Sequence, residues 1–235
     1  MKKIGIIFAM QEELKELLNL LNLEREYSVF DLKFYECKLL DLKCILVESG
    51  IGKVNAARTT QILIDNMQVD CVFNIGVAGG VSNLLSVGDI VIGDKLVQHD
   101  FDITAFNHSK GYIPNVGTFI KCDDYLVYLA KMISNRLNYN VLRGTIASGD
   151  IFCTDSKMSE KINKKFNALC VEMEGASVSQ VCYLSHIPHL IIRCISDTPN
   201  NNNVITYEEF LESSSKNVAV LMFNILKEIS NSSNN

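Results

Sequence analysis

The residues of this chain best suited to do chemistry are carboxylates that stand where apolar runs end. Glu12 and Glu13 follow Ile4-Gly5-Ile6-Ile7-Phe8, Glu172 and Glu174 bracket Met173, and Asp197 closes Arg193-Cys194-Ile195-Ser196-Asp197. Separated carboxyl groups brought to one crevice are what acid–base cleavage of a glycosidic bond requires: one protonates the leaving group, the other takes a proton from water. Each also has a plain structural reading. Glu12 and Glu13 fit acids in the first turn of a helix, and Glu172 and Glu174 fit a solvated pair opening another. In an extended segment Glu172 and Glu174 would share one face and Met173 the other. A carboxylate suits a ribose diol, and a thioether offers a soft surface for the underside of a sugar. Gly50-Ile51-Gly52-Lys53 invites a phosphate-binding reading that fails. Val47 and Val54 stand where a P-loop needs Gly and Ser or Thr, and Asn55 stands where a dinucleotide fingerprint needs its third Gly. A tight strand-to-helix turn is expected there instead.

Residues 4–8, 32–37, 44–47, 71–75, 88–93, 141–147, 170–172 and 190–195 read as strands. Residues 12–21, 54–66, 125–137, 157–166, 174–184 and 207–229 have helical spacing. This alternation predicts an α/β fold: a single domain over residues 1–230, with a mixed, largely parallel, twisted sheet flanked by helices on both faces. The Ser/Asn-rich tail, 231–235, is expected to be disordered. Sites on such sheets lie beyond the C-terminal ends of strands, which selects residues 9–13, 49–53, 76–80, 148–154, 173–174 and 196–199. The long segment 99–119 has weak periodicity, and loops of that length are usually functional or sit at an interface.

The 235 residues are 48% hydrophobic and 21% charged with a net charge of −5, ordinary globular composition without the basic footprint of a nucleic-acid binder. No apolar run reaches the roughly 18 residues of a membrane span. The apolar start is too short for a signal peptide and lacks a cleavage site. The eight cysteines form no C-x-x-C pair, which favours reduced buried thiols and a cytoplasmic protein. No metal site is expected from the histidine and cysteine spacing.

Six stretches in register carry a resemblance. They are residues 4–13, Ser49-Gly50-Ile51-Gly52-Lys53-Val54, Asn74-Ile75-Gly76-Val77-Ala78-Gly79-Gly80, Ser148-Gly149-Asp150, Val171-Glu172-Met173-Glu174-Gly175-Ala176 and Arg193-Cys194-Ile195-Ser196-Asp197. Together they resemble the 5′-methylthioadenosine/S-adenosylhomocysteine nucleosidases of the wider purine nucleoside phosphorylase and uridine phosphorylase superfamily. The resemblance implies a nucleoside phosphorylase-like fold with no cofactor. It implies hydrolysis of methylthioadenosine, S-adenosylhomocysteine and 5′-deoxyadenosine, by-products of S-adenosylmethionine chemistry. Glu13 would activate water, and Asp197 would protonate N7 of adenine. Met173 would line the ribose, Glu174 would hold its hydroxyls, Phe152 would stack on adenine, and the Cys153 backbone would meet the base edge. Ala78 and Gly79 would approach sugar and base, and Arg193 and Ser196 would support the site. Met10, Ile51, Val77, Glu172 and Tyr207 complete the substrate-binding set. Val77 departs from a common Ser, Cys153 from an aliphatic residue, and Tyr207 from Phe. The resemblance also implies a homodimer, with Phe106 and Pro114 of one protomer closing the 5′ pocket of the other. A phosphorylase on the same fold and a catalytically silent nucleoside-binding protein remain as alternatives.

Overall fold

The computed structural model describes residues 1–198 and 203–233. Near-continuous branched apolar runs form the centre of a 10-stranded sheet. These are β1 (Lys3–Phe8), β4 (Leu42–Glu48), β5 (Cys71–Gly80) and β10 (His189–Asp197), joined by parallel pairing. Every residue of β10 is buried, so both of its faces are covered, as such runs demand. β3 (Leu32–Leu39) and β2 (Asn22–Val29) extend the sheet antiparallel beyond β4. On the other side lie β6 (Ile90–Gln98), β8 (Val141–Ser148) and β9 (Ala168–Glu172), with the two-residue β7 (Ile120–Lys121) on β6. β10 pairs with both β5 and β6, while β9 returns to pair with β5, so these strands close into a circuit.

Helices cover both faces. α2 (Lys53–Asp65) packs on α5 (Gly175–Leu184), while α1 (Gln11–Leu18) and α3 (Asp124–Arg136) pack on α6 (Asn203–Ser233). α4 (Ser156–Phe166) lies against β8 and β9. The stripe Val218, Leu221, Met222, Ile225 and Ile229 of α6 is buried, each side chain contributing about 1.5–3 kcal/mol of transfer free energy.

The mixed α/β architecture is as expected, with local corrections. β2 has no counterpart in the apolar pattern, because it is an exposed edge strand held by Arg25–Glu36 and Lys33–Glu26 pairs across to β3. β5 runs on through Gly76 to Gly80 rather than stopping at Ile75, and β10 reaches Asp197. α6 begins at Asn203 and continues through Ser233, so residues 231–233 are helical rather than a disordered tail. Pro199 of the candidate loop 196–199, and residues 234–235, lie outside the described residues. The segment 99–119 is not featureless: it contains a 3₁₀ turn at Thr104–Phe106 and a bridge between Ile113 and Gly117. All eight cysteines are buried and none is in a disulfide, and among the described residues no helix is long and apolar enough to cross a membrane.

Candidate active site

Glu13 both caps a helix and reaches the cavity. It is the third residue of α1 and reaches back over the helix start, where Oε2 accepts the backbone N–H of Ala9 at 3.0 Å and of Met10 at 3.2 Å. That is the carboxylate half of a capping box. Its other oxygen, Oε1, accepts the N–H of Val77 on β5 at 2.9 Å. Gly76 makes this approach feasible, since a Cβ there would sit 2.3 Å from Oε1. These three backbone donors take three of roughly four acceptor positions and leave about one for a water or substrate proton. Burial pushes Glu13 above the ordinary carboxylate range, against the pull of Arg193 and the backbone donors.

Asp197 reaches the same cavity through an irregularity in β10. Ile195 pairs with Ala78 and Asp197 with Gly79, so Ser196 is an extra residue with no counterpart on β5. Bulges of this kind re-aim side chains and often lie beside active sites. The Ser196 hydroxyl donates to Asp197 Oδ1 at 2.9 Å. Glu13 and Asp197 are each 2% exposed. Their backbone anchors on β5, Val77 and Gly79, are two residues apart, about 7 Å at the usual strand rise.

A buried charge cluster adjoins them. Arg193 donates to the backbone oxygens of Asn74 and Ile192 at 3.1 Å, and also to the Asn74 side chain and to Glu172. Its guanidinium lies 4.0 Å from Glu174. Glu172 is fully engaged by the protein: it accepts from Ser148 Oγ, Arg193 and the backbone N–H groups of Glu174 and Gly175. Glu174 does not continue the strand. With φ −131° and ψ −44° it caps α5, so the extended 172–174 geometry expected from sequence is replaced by a turn. Its Oε1 accepts the Gly52 N–H at 2.8 Å.

Ala9, Met10, Glu13, Ile51, Val77, Ala78, Gly79, Ile151, Phe152, Cys153, Val171, Glu172, Met173, Glu174, Ser196, Asp197 and Tyr207 line the cavity. Phe152 meets Tyr207 edge-on, with ring centroids 5.6 Å apart, and the Tyr207 hydroxyl donates to Met10 Sδ at 3.2 Å. The cavity thus gathers two buried carboxylates, Glu13 and Asp197, beside an aromatic wall and a third carboxylate, Glu174.

Residues 3–227 match the model of the phosphorylase superfamily. A 5′-methylthioadenosine/S-adenosylhomocysteine nucleosidase from Geobacillus is 38% identical over 97% of this chain and 99% of its own. The Helicobacter pylori nucleosidase bound to butyl-thio-DADMe-Immucillin-A superposes with a TM-score of 0.94 at 36% identity, covering 97% of this chain and 99% of that one. The futalosine hydrolase of Helicobacter pylori also superposes at 0.94, with 34% identity over 97% of this chain and 98% of that one. The chain belongs to the methylthioadenosine/S-adenosylhomocysteine nucleosidase family.

In this family member the cavity gathers almost all of the pocket residues expected from sequence. Arg193 is the exception: it is buried behind the wall and does not line it. Phe106 and Pro114 lie outside the pocket of their own chain, Phe106 being 75% exposed. Val77 supports Glu13 with its backbone, so the absent hydroxyl leaves that anchor intact. No individual role follows from the sequence for Asn74, Ser148, Gly52 or Gly76, all of which the structure engages. A polar residue inside the apolar strand Val72-Phe73-Asn74-Ile75 was the available signal for the first. Among the described residues no metal-binding group of His, Cys, Asp and Glu is gathered.

Glu174 is pushed up to about 7, by burial first and then by Glu172, while Arg193 and the Gly52 amide pull the other way. The native state therefore keeps a proton that an unfolded glutamate, at about 4.3, has already lost. The stabilisation is complete below the unfolded value and disappears as pH rises through the folded one. His99 and His189, held low by burial, slope in the opposite sense, so the informative quantity is a difference. Between about pH 5 and pH 8 the Tm of ligand-free Glu174→Gln should rise relative to wild type. A Tm difference independent of pH would show that Glu174 does not titrate in that range.

Proposed function

We propose that the protein hydrolyses the N-glycosidic bond of 5′-methylthioadenosine, S-adenosylhomocysteine and 5′-deoxyadenosine, giving adenine and the 5-substituted ribose. One observation carries hydrolysis over phosphorolysis: the Glu13 carboxylate occupies the amides of Ala9, Met10 and Val77, and no lysine or arginine is among the described residues that line the cavity. A phosphate dianion needs several cationic or backbone donors. Here the backbone donors are spent on a carboxylate that would repel it, while water is accommodated.

Asp197 protonates N7 of adenine as the bond to ribose breaks, and accepts from the exocyclic amino group through its other oxygen. Phe152 stacks on the base, and the Cys153 backbone meets its edge. Glu174 accepts from the ribose hydroxyls, and Met173 lies beneath the ring. Glu13 takes the proton of the attacking water. Arg193 acts from behind and Glu172 from the cavity wall, holding the Glu174 carboxylate and the start of α5. The excess of carboxylates over the one guanidinium favours the positive charge that develops on an oxocarbenium-like ribosyl group. In a homodimer, Phe106 and Pro114 of one protomer close the 5′ end of its partner's pocket, next to Ile51, which is 53% exposed. A cytoplasmic setting, in which the buried thiols stay reduced, and a role in methionine salvage accompany this reading.

The test is purified protein with methylthioadenosine, with and without phosphate. Free methylthioribose and adenine are expected at equal rates in both. Strict phosphate dependence with a sugar 1-phosphate product would establish the phosphorylase instead, and absence of turnover with retained binding would establish a sensor. Futalosine in the same assay reports whether the 5′ pocket admits a larger substituent.

A further inference from the structure

The turn between β4 and α2 has little to hold it by packing. Gly50 and Gly52 both take positive φ, 79° and 102°, and Ile51 between them is 53% exposed. Yet this turn carries the Gly52 N–H that binds Glu174 at 2.8 Å. Ser49 Oγ donates to the Gly50 carbonyl and Asn55 Nδ2 to the Ile51 carbonyl, both at 2.8 Å, but what ties the turn to the neighbouring strands β6 and β8 is the next residue. The Lys53 ammonium lies 2.7 Å from Asp100 Oδ1 and 3.2 Å from Gln98 Oε1, and the Lys53 backbone N–H lies 2.8 Å from Asp150 Oδ1. Asp150 closes the loop by donating its own N–H to Asp100 Oδ2 at 3.0 Å. The ends of β4, β6 and β8 are thereby tied together around one lysine–aspartate pair.

The pair is shielded, with side chains 17% and 20% exposed, unlike the solvent-screened pairs that contribute little. Gly52 cannot be replaced by a bulkier anchor, because its φ is left-handed and a Cβ would lie 3.2 Å from Asp150 Oδ1. At the start of α2 the Gly52 amide carries partial positive charge and favours ionised Glu174. Displacing the turn would both misdirect Glu174 and weaken its ability to accept from a diol.

We infer that Lys53 is a positioning residue for ribose recognition, acting through Asp100 and the Gly52 amide on Glu174. The inference rests on the reading of Glu174 as the acceptor for the ribose hydroxyls. It is tested with wild type, Lys53→Met, Lys53→Arg and Asp100→Asn on methylthioadenosine and on its 2′,3′-dideoxy analogue. Lys53→Met should raise KM for methylthioadenosine by about tenfold, the scale of one hydrogen bond to a charged group, with a smaller change in kcat. On the dideoxy analogue, where Glu174 has no hydroxyl to hold, wild type and variant should agree within about twofold, the interaction having already been removed. Lys53→Arg should recover much of the loss. Asp100→Asn should reproduce the diol-selective pattern, and it decides the matter if Lys53→Met does not fold. An equal loss on both substrates, or no loss on either, overturns the inference while leaving the hydrolytic reading intact. No turnover of methylthioadenosine by wild type removes both.

Discussion

Asp197→Asn is expected to lower kcat on methylthioadenosine by about 10²- to 10⁴-fold, the usual worth of a positioned general acid. The replacement preserves shape. An amide oxygen can still accept from Ser196 Oγ, which now donates to Asp197 Oδ1 at 2.9 Å, and the bulge that aims the residue depends on backbone pairing with Gly79. What the amide cannot do is give up a proton to the purine. The loss should therefore fall on kcat, with KM changed little and the thermal midpoint close to wild type. A ribosyl substrate whose leaving group departs without protonation, such as a nitrophenolate, should lose far less. Full activity of the variant on methylthioadenosine would remove Asp197 from the mechanism.

Glu13→Gln should produce a loss of similar size, about 10²- to 10⁴-fold, with a different signature. Here the defect lies in activating water, so it should persist with the nitrophenolate substrate. A stability cost is expected as well. Both carboxylate oxygens now accept backbone N–H groups, Oε2 from Ala9 and Met10 and Oε1 from Val77. A glutamine has only one acceptor oxygen, so its NH₂ must face an N–H on one side. An unmet buried donor costs about 1–3 kcal/mol, which a denaturation curve resolves while leaving the protein folded. Equal sensitivity of the two variants to the leaving group would undo the division of labour between acid and base.

The central strands were legible because their residues are almost continuously apolar, and the carboxylates because each stands at the end of such a run. β2 was not legible. Its Glu24-Arg25-Glu26 segment faces solvent, so neither alternation nor burial leaves a mark in the sequence, and its stability comes from pairing with β3. The length of β5 was misread because glycines usually punctuate strands. Here Gly76 is inside one, making room for a side chain from another element. Local sequence makes Glu172 and Glu174 look alike, and tertiary structure separates their partners: Ser148, Arg193 and two amides claim the first, while the second accepts from the Gly52 amide, though both line the cavity. The tie made by Lys53 joins residues 47 and 97 positions apart, beyond the reach of any local pattern.

The two halves of the proposed chemistry are indexed to a single ruler. Val77 grips one carboxylate through its amide, and Gly79 lies alongside the other. Their spacing is set by two peptide units of an extended chain, which stretch hardly at all. Drift in the surrounding helices can tilt either side chain without altering the distance between their footings. An insertion or deletion of one residue between 77 and 79 would shift one footing by about 3.3 Å and reverse the face it presents. Sequence length between those two positions should therefore be the least negotiable dimension of the molecule.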